Sequence, residues 1–155
     1  MSIRKAEPIN LETVKDITVR TIQAIYPRYY AQGAVDFFLA HHKETNIRSD
    51  IQDNMTMLCY DASNHAVGTV TIKKNEICRL FVLPQYQGCG FGREMLDYAE
   101  KRILETYDEI VLDASLPAKR IYLKRGYSVM NFHVIETENG DFLCYDVMMK
   151  KGSST

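Results

Sequence analysis

Apolar residues recur along the chain with two different periods, which predict alternating helices and strands. Over 11–25 they fall three or four positions apart, the spacing of one helix face, and a shorter helix is predicted over about 33–42. The clearest helical stripe covers 90–107, with Met95, Leu96 and Ala99 on its apolar side. A polar stretch over 43–54 is expected to lead from the second helix into the sheet.

Short segments rich in apolar and β-branched residues predict the strands. Turn-forming residues over 61–66 and the Asn139-Gly140 dipeptide mark two hairpins. The run Leu80-Phe81-Val82-Leu83 is apolar on both faces, which favours a central, covered strand. Ser115 begins the last helix and Gly126 ends it. The predicted strands cover residues 2–7, 55–60, 67–72, 77–83, 110–114, 127–135 and 141–149.

These elements predict the order β-α-α-β-β-β-α-β-α-β-β. Hairpins combined with strand–helix–strand crossovers indicate the α/β (α+β) class, with a mixed, mostly antiparallel central sheet of six to seven strands flanked by about four helices. Residues 1–150 are expected to form one domain and residues 151–155 a flexible tail.

Composition excludes several classes of function. The 155 residues carry 19 Lys plus Arg against 20 Asp plus Glu, a net charge of -1, which argues against a nucleic-acid surface. No apolar run approaches the ~18 residues of a membrane span, and the N-terminus lacks the apolar core of a secretory signal, so a cytoplasmic location is expected. The four cysteines are scattered without metal-ligand spacing, which predicts reduced thiols and no metal site.

The chemically informative segment is a glycine-rich loop between a strand and a helix. Its sequence, Gln87-Gly88-Cys89-Gly90-Phe91-Gly92-Arg93, places three glycines at alternating positions. Glycines let the backbone turn sharply and direct several N–H groups at one point beside a helix N-terminus, which favours a phosphate or pyrophosphate ligand. The spacing matches neither the Walker pattern nor the Rossmann fingerprint.

The loop and a second motif together resemble the GCN5-related N-acetyltransferase family. Gln87-x-x-Gly90-x-Gly92 is similar to that family's Q/R-x-x-G-x-G/A loop for the pyrophosphate of coenzyme A. The later segment Ala118-x-x-x-Tyr122-x-x-x-Gly126-Tyr127 is similar to its A-x-x-x-Y-x-x-x-G-[F/Y] motif. Both motifs occur in the expected order, and the resemblance covers nearly the whole chain.

The resemblance implies acetyl-CoA as cosubstrate and a role for each matching residue. The backbone of Phe81 and Val82 would pair with the pantetheine arm, and an N–H near Val82 would stabilise the oxyanion. Tyr122 would be the general acid that protonates the departing thiolate. The loop amides of Gln87, Gly88, Cys89, Gly90, Phe91, Gly92 and Arg93 would hold the pyrophosphate, with further cofactor contacts from Ser115, Ala118 and Lys124.

Several of these roles have structural alternatives. Glu76 stands where several relatives carry a glutamate that acts as a base through water, and the alternative is a strand-edge carboxylate without a catalytic role. Tyr122 could simply pack on the sheet, and Ser115 could be a plain helix cap. Cys89 in the loop offers an acyl-cysteine route, whereas the family transfers the acetyl group directly.

The predicted function is therefore acetyl transfer from acetyl-CoA to a primary amine of a small molecule or peptide. The resemblance assigns acceptor specificity largely to the first two helices and the segment over 26–42, in which three tyrosines are either an aromatic wall or packing. His41, His42 and His133 have suitable pKa values for a base, but the sequence does not locate them. The alternatives are a non-catalytic acyl-CoA sensor and an enzyme that uses a different acyl donor. Separately, the C-terminal strand over 142–149 could form a homodimer or simply pack in the core.

Overall fold

The structure, a computed structural model, describes residues 1–153. Its strands are β1 (Ser2–Lys5), β2 (Thr56–Tyr60), β3 (Ala66–Lys73), β4 (Glu76–Val82), β5 (Glu109–Ala114), β6 (Ser128–Glu136) and β7 (Phe142–Lys151). Its α-helices are α1 (Leu11–Ile25), α2 (Gln32–His41), α3 (Glu44–Gln52), α4 (Phe91–Leu104) and α5 (Leu116–Lys124). One seven-stranded sheet has the order β1-β2-β3-β4-β5-β7-β6. Among the strand pairs of the described residues, β4 and β5 alone are parallel, which confirms the mixed, mostly antiparallel sheet.

Helices cover both faces of the sheet, so the apolar residues form two separate layers. The first three helices pack on one face and the last two on the other. Strand β2 shows the alternation that this arrangement requires: Leu58 faces the first layer, whereas Met57 and Cys59 face the second. Strand β4 lies in the middle of the sheet, as its doubly apolar sequence predicts.

The helix α3 is the main departure from the predicted order. Its sequence is largely polar, and the residues that it buries are Ile47, Asp50 and Ile51. One apolar pair at i, i+4 is too weak a periodic signal to distinguish a short helix from a loop. The observed order is therefore β-α-α-α-β-β-β-α-β-α-β-β, with the extra helix immediately before β2.

The C-terminal strand is longer than predicted. Lys150 and Lys151 pair with Ile110 and Glu109 in β5, and the Gly152 N–H donates to the Asp108 carbonyl at 2.8 Å. The predicted tail therefore does not begin at residue 151. Its last two residues, 154 and 155, lie outside the described residues.

The four cysteines differ in exposure. All four thiols are unpaired; Cys59 is buried, Cys78 and Cys144 are half-buried, and Cys89 is exposed. Among the helices of residues 1–153, none combines the length and apolar character that crossing a membrane requires.

Candidate active site

A cleft of about 1110 Å³ opens between β4, the start of α4, α5 and the end of α1. It exists because β4 and β5 pair only at Glu76↔Val111 and Ile77↔Leu112 and then separate. Cys78 is an extra residue in β4, since Thr71 pairs with Arg79 while Ile72 pairs with Ile77. Such a bulge bends and twists its strand. The divergence of two neighbouring strands thus provides the space for a ligand.

The backbone of β4 presents polar groups to this cleft. The Leu83 N–H donates to the Val67 carbonyl of β3, so the alternation of an antiparallel pair turns the Val82 N–H away from β3. The Val82 carbonyl, turned the same way, accepts from Gln87 Nε2 at 2.9 Å and from Thr21 Oγ1 at 3.3 Å. Val82 therefore keeps a free N–H in the slot, while its carbonyl anchors the following loop.

The glycine loop forms the end of the cleft next to α4. Gly88 has φ 77° and Gly90 has φ 93°, left-handed conformations that favour glycine, and Gly90 is the N-cap of α4. Within residues 1–153 the backbone N–H groups from Gly88 to Arg93 have no hydrogen-bond acceptor, because the first helical bond is Glu94 N–H to the Gly90 carbonyl. A Cβ built on Gly88 or Gly90 would meet no atom within 4 Å. This set of open, unpaired donors fits a pyrophosphate.

Helix α5 supplies the opposite wall of the cleft. Tyr122 is 8% exposed and lies against the Tyr127 ring at a centroid distance of 5.5 Å. Its hydroxyl makes no hydrogen bond to any other described residue, and the side chain lines the cleft. Burial, followed by the charge of Tyr26, raises the pKa of Tyr122 above its ordinary 10.0. The phenol therefore remains a proton donor at neutral pH.

Two tyrosines follow the end of α1, and one of them, Tyr30, holds the start of α5. The Tyr30 hydroxyl accepts the Leu116 N–H at 2.7 Å and donates to the Cys144 carbonyl at 3.2 Å. Tyr26 lines the cleft, and burial raises its pKa, an effect that the neighbouring Ser115 side chain opposes in part. Ser115 occupies the N-cap of α5 but makes no capping bond, so a plain helix cap does not describe it. The tyrosine-rich segment was visible in the sequence, whereas these bonds to α5 were not.

The two cations at the end of α5 differ in their surroundings. Arg125 Nη2 lies 2.8 Å from carboxylate oxygens of both Asp97 and Glu100, and its Nε donates to Glu100 at 3.1 Å. The hydrogen bonds to Glu100 raise the pKa of Arg125, burial lowers it by less, and the hydrogen bond to Asp97 raises it further. Lys124 is exposed, lines the cleft and has no ion pair within the described chain. Of these two cations, Lys124 is the one free to approach a ligand phosphate.

Most predicted site residues lie together in the cleft, and three do not line it. Glu76 lies at the end of β4 that pairs with β5. Burial and the charge of Asp113 raise its pKa, and the charge of Lys73 opposes them only in part. The exposed Cys89 thiol contacts the Gln87 carbonyl at 3.7 Å. Phe91 packs edge-on against Tyr86 at 6.0 Å. The residues that line the cleft are Phe81, Val82, Gln87, Gly88, Gly90, Gly92, Arg93, Ser115, Ala118, Tyr122 and Lys124.

Comparison with known proteins assigns the family. The model of the GNAT acetyltransferase domain matches residues 25–143, so the chain belongs to the GNAT acetyltransferase family. The cosubstrate of this family is acetyl-CoA, which confirms the predicted cofactor at the level of the family. A search of curated protein sequences found no significant match.

Solved structures with the same fold extend over the whole chain. A protein from Rhodopseudomonas palustris, described as a GCN5-related N-acetyltransferase, aminotransferase class II, is 23% identical with a TM-score of 0.87, covering 97% of this chain and 95% of its own. PaiA N-acetyltransferase from Thermoplasma acidophilum, solved with coenzyme A, is 22% identical with a TM-score of 0.71 and coverage of 97% and 98%. Salmonella typhimurium yncA, solved with acetyl-CoA, is 13% identical with a TM-score of 0.71 and coverage of 100% and 95%. At these identities the structures establish the fold.

Proposed function

We propose that this protein transfers an acetyl group from acetyl-CoA to a primary amine of a small molecule or peptide. One observation carries the proposal: the unpaired loop amides, the free Val82 N–H and the Tyr122 hydroxyl belong to a single cleft. The same cleft supports binding of the cosubstrate, with the pyrophosphate on the amides of the glycine loop and a phosphate beside Lys124. Ser115 and Ala118 border the space between these groups.

Bound acetyl-CoA supplies an activated acetyl group as a thioester. The Val82 N–H is directed into the slot between β4 and β5, where it can donate to the carbonyl oxygen as negative charge develops there. The amine nitrogen forms the new C–N bond while the C–S bond breaks, and Tyr122 gives its proton to the leaving thiolate. Because burial holds the pKa of Tyr122 above 10.0, this donor is retained across the physiological range.

The acceptor amine must lose a proton, and Glu76 is the proposed base, acting through water. Burial and the charge of Asp113 raise the pKa of Glu76, which makes its carboxylate a stronger base than an exposed glutamate. Glu76 and Asp113 lie close to the point where β4 and β5 begin to diverge. A single domain over residues 1–150 and a cytoplasmic location remain predictions from the sequence.

The test is thiol release from acetyl-CoA across a panel of primary amines, with Tyr122→Phe beside wild type. Loss of the general acid should lower kcat by about 10²-fold or more while coenzyme A affinity stays within about twofold. Tyr127→Phe is the matched control, because it removes a hydroxyl that donates to Glu100 outside the cleft. Full activity of Tyr122→Phe would reject the general acid, and tight binding without turnover on any amine would indicate a sensor.

A further inference from the structure

A second, smaller cavity of about 160 Å³ lies among α2, α3, β3 and β4, and none of its lining residues lines the cleft. Exposed side chains surround its mouth, whereas its floor is buried. The mouth consists of His41, Asn46, Ser49 and Lys73. The floor consists of His42, Asp50 and Arg79, and the half-buried Cys78 lies between the two groups. About 10–15 Å³ accommodates one water, so the space suits a short polar group rather than a nucleotide.

The floor contains a guanidinium group with donors to spare. Arg79 is only 5% exposed; its Nε donates to His42 Nδ1 at 3.2 Å, and its Nη1 donates to Asp50 Oδ2 and Thr71 Oγ1, both at 3.1 Å. Its Nη2 has no acceptor among the described residues. The bulge at Cys78 explains this placement, because without the extra residue Arg79 would face the same side as Ile77, towards α4.

His42 adds a second donor. Because a guanidinium can only donate, His42 Nδ1 must accept, which places the imidazole proton on Nε2. Burial, the charge of Arg79 and the charge of His41 lower the pKa of His42 to about 3, so the ring is neutral at physiological pH. His42 is 8% exposed, lines the cavity, and its Nε2 has no partner within residues 1–153.

The charges that line the cavity leave a net positive charge of one with neutral imidazoles. Asp50 is paired twice, with Lys73 Nζ 2.7 Å from Oδ1 and Arg79 Nη1 3.1 Å from Oδ2. Within the lining, one carboxylate thus faces two cations. Two further carboxylates act on the cavity from outside its lining: Glu76 acts on Cys78 and Lys73, and Asp113 acts on His41. Two unpaired donor atoms, Arg79 Nη2 and His42 Nε2, beside a buried guanidinium match the two oxygens and single charge of a carboxylate.

We propose that this cavity binds the carboxylate of an acceptor that carries both an amine and a carboxylate, such as an amino acid or the C-terminal end of a peptide. The proposal rests on the acetyltransferase function proposed above. Phe81 connects the two sites: its ring lies 5.5 Å from the His42 ring and also lines the cleft. A carboxylate held by Arg79 and His42 is therefore one side chain away from the slot in which the acetyl group would be transferred.

The first experiment compares pairs of acceptors that differ only in the carboxylate, namely amino acids of increasing chain length and their primary amides. A charged hydrogen bond contributes about 1.5–3 kcal/mol, so wild-type KM should be about 10- to 150-fold lower for the acid of the best pair. Equal KM values for acid and amide in every pair would overturn the proposal. Turnover of uncharged amines would still support the acetyltransferase function in that case.

Variants locate the preference in the cavity. Arg79→Met combined with Asp50→Leu removes both partners of the buried pair, because removing one alone leaves an uncompensated buried charge. The acid-to-amide ratio of KM should approach 1 in this variant and in Arg79→Lys, which keeps the charge but loses the planar fork. Arg102→Met, an exposed arginine that lines neither cavity, is the control and should keep the wild-type ratio. If the preference for the acid over the amide persisted after Arg79 was substituted, carboxylate recognition would lie elsewhere.

A binding measurement makes the test independent of turnover. Titration of ¹⁵N-labelled wild-type protein with acetate should shift the His42 Nε2 resonance, and the Arg79→Lys variant should respond at least tenfold more weakly. Inorganic phosphate is the second probe, and tighter binding of phosphate than of acetate would overturn the carboxylate assignment. An acetate shift at His42 without turnover of any amine would contradict the acetyltransferase function and leave the carboxylate site standing.

Discussion

Gly90 and Gly126 form a matched pair for testing the glycine loop as a phosphate cradle. Their φ angles are 93° and 91°, and a Cβ built on either would meet no atom within 4 Å. Substitution by alanine therefore places the same unfavourable backbone conformation at both positions without a clash. Only Gly90 lines the cleft, where the added methyl group would occupy space beside the unpaired amides.

The expected effects separate stability from binding. A left-handed alanine costs about 1–2 kcal/mol, so Gly90→Ala and Gly126→Ala should each lower Tm by about 2–8 °C. Gly90→Ala should in addition keep the pyrophosphate from at least one amide. A hydrogen bond to a charged group contributes about 1.5–3 kcal/mol, which corresponds to about a 10- to 150-fold loss of coenzyme A affinity.

Thermal denaturation and isothermal titration calorimetry with coenzyme A measure the two effects on the same samples. Gly126→Ala should bind coenzyme A within about twofold of wild type, since its change lies beyond the C-terminal end of α5. Equal affinities for both variants and wild type would refute the cradle. An equal loss in both variants would show that general destabilisation, rather than the position of Gly90, weakens binding.

Three further predictions concern the residues around the cleft. Gln87→Ala removes the 2.9 Å bond to the Val82 carbonyl and should weaken coenzyme A binding about 2- to 12-fold in calorimetry. Unchanged affinity would show that this bond does not hold the glycine loop in its binding conformation. Tyr30→Phe leaves the Leu116 N–H without its acceptor and should cost about 1–3 kcal/mol in urea unfolding, and a neutral result would show that water replaces the hydroxyl. Burial would raise the pKa of Glu100, but hydrogen bonds and charge from Arg125 hold it below the ordinary 4.5. The stabilisation from Glu100 is therefore present above about pH 4.5 and is lost as the pH falls through the folded-state pKa. Glu100→Gln should accordingly reduce the fall of Tm at acid pH in a plot of Tm against pH, and an unchanged fall would contradict this.

Strongly periodic segments of the sequence predicted their own structure. The apolar stripe on α4 repeats with the helical period and is buried on one face. The apolar run of β2 is buried on both faces of the sheet. By contrast, α3 buries only one apolar pair at helical spacing, and it becomes a helix because Ile47 and Ile51 pack beneath α1 and the sheet. Local pattern was insufficient where tertiary packing supplied most of the stabilisation.

The glycine loop shows how far spacing can lead. Three glycines before a helical stripe indicate an anion site, because the missing side chains and the free helix amides are local properties of the chain. Which side chains join that site is not local. Thr21, near the C-terminal end of α1, and Tyr26, which follows that helix, both line the cleft. Glu76 does not line it, although it belongs to β4, the strand that also carries Phe81 and Val82.

By itself the sequence determined the strands, four of the five helices, the loop that can hold a pyrophosphate and the family resemblance. Only the tertiary structure decided where β4 and β5 separate, which cations remain unpaired, and that Arg79 and His42 share a second cavity. The physical reason is that a bulge at Cys78, a two-pair parallel contact and a buried ion pair depend on residues far apart in the chain. Periodicity and spacing report neighbours along the chain, whereas a binding site is made of neighbours in space.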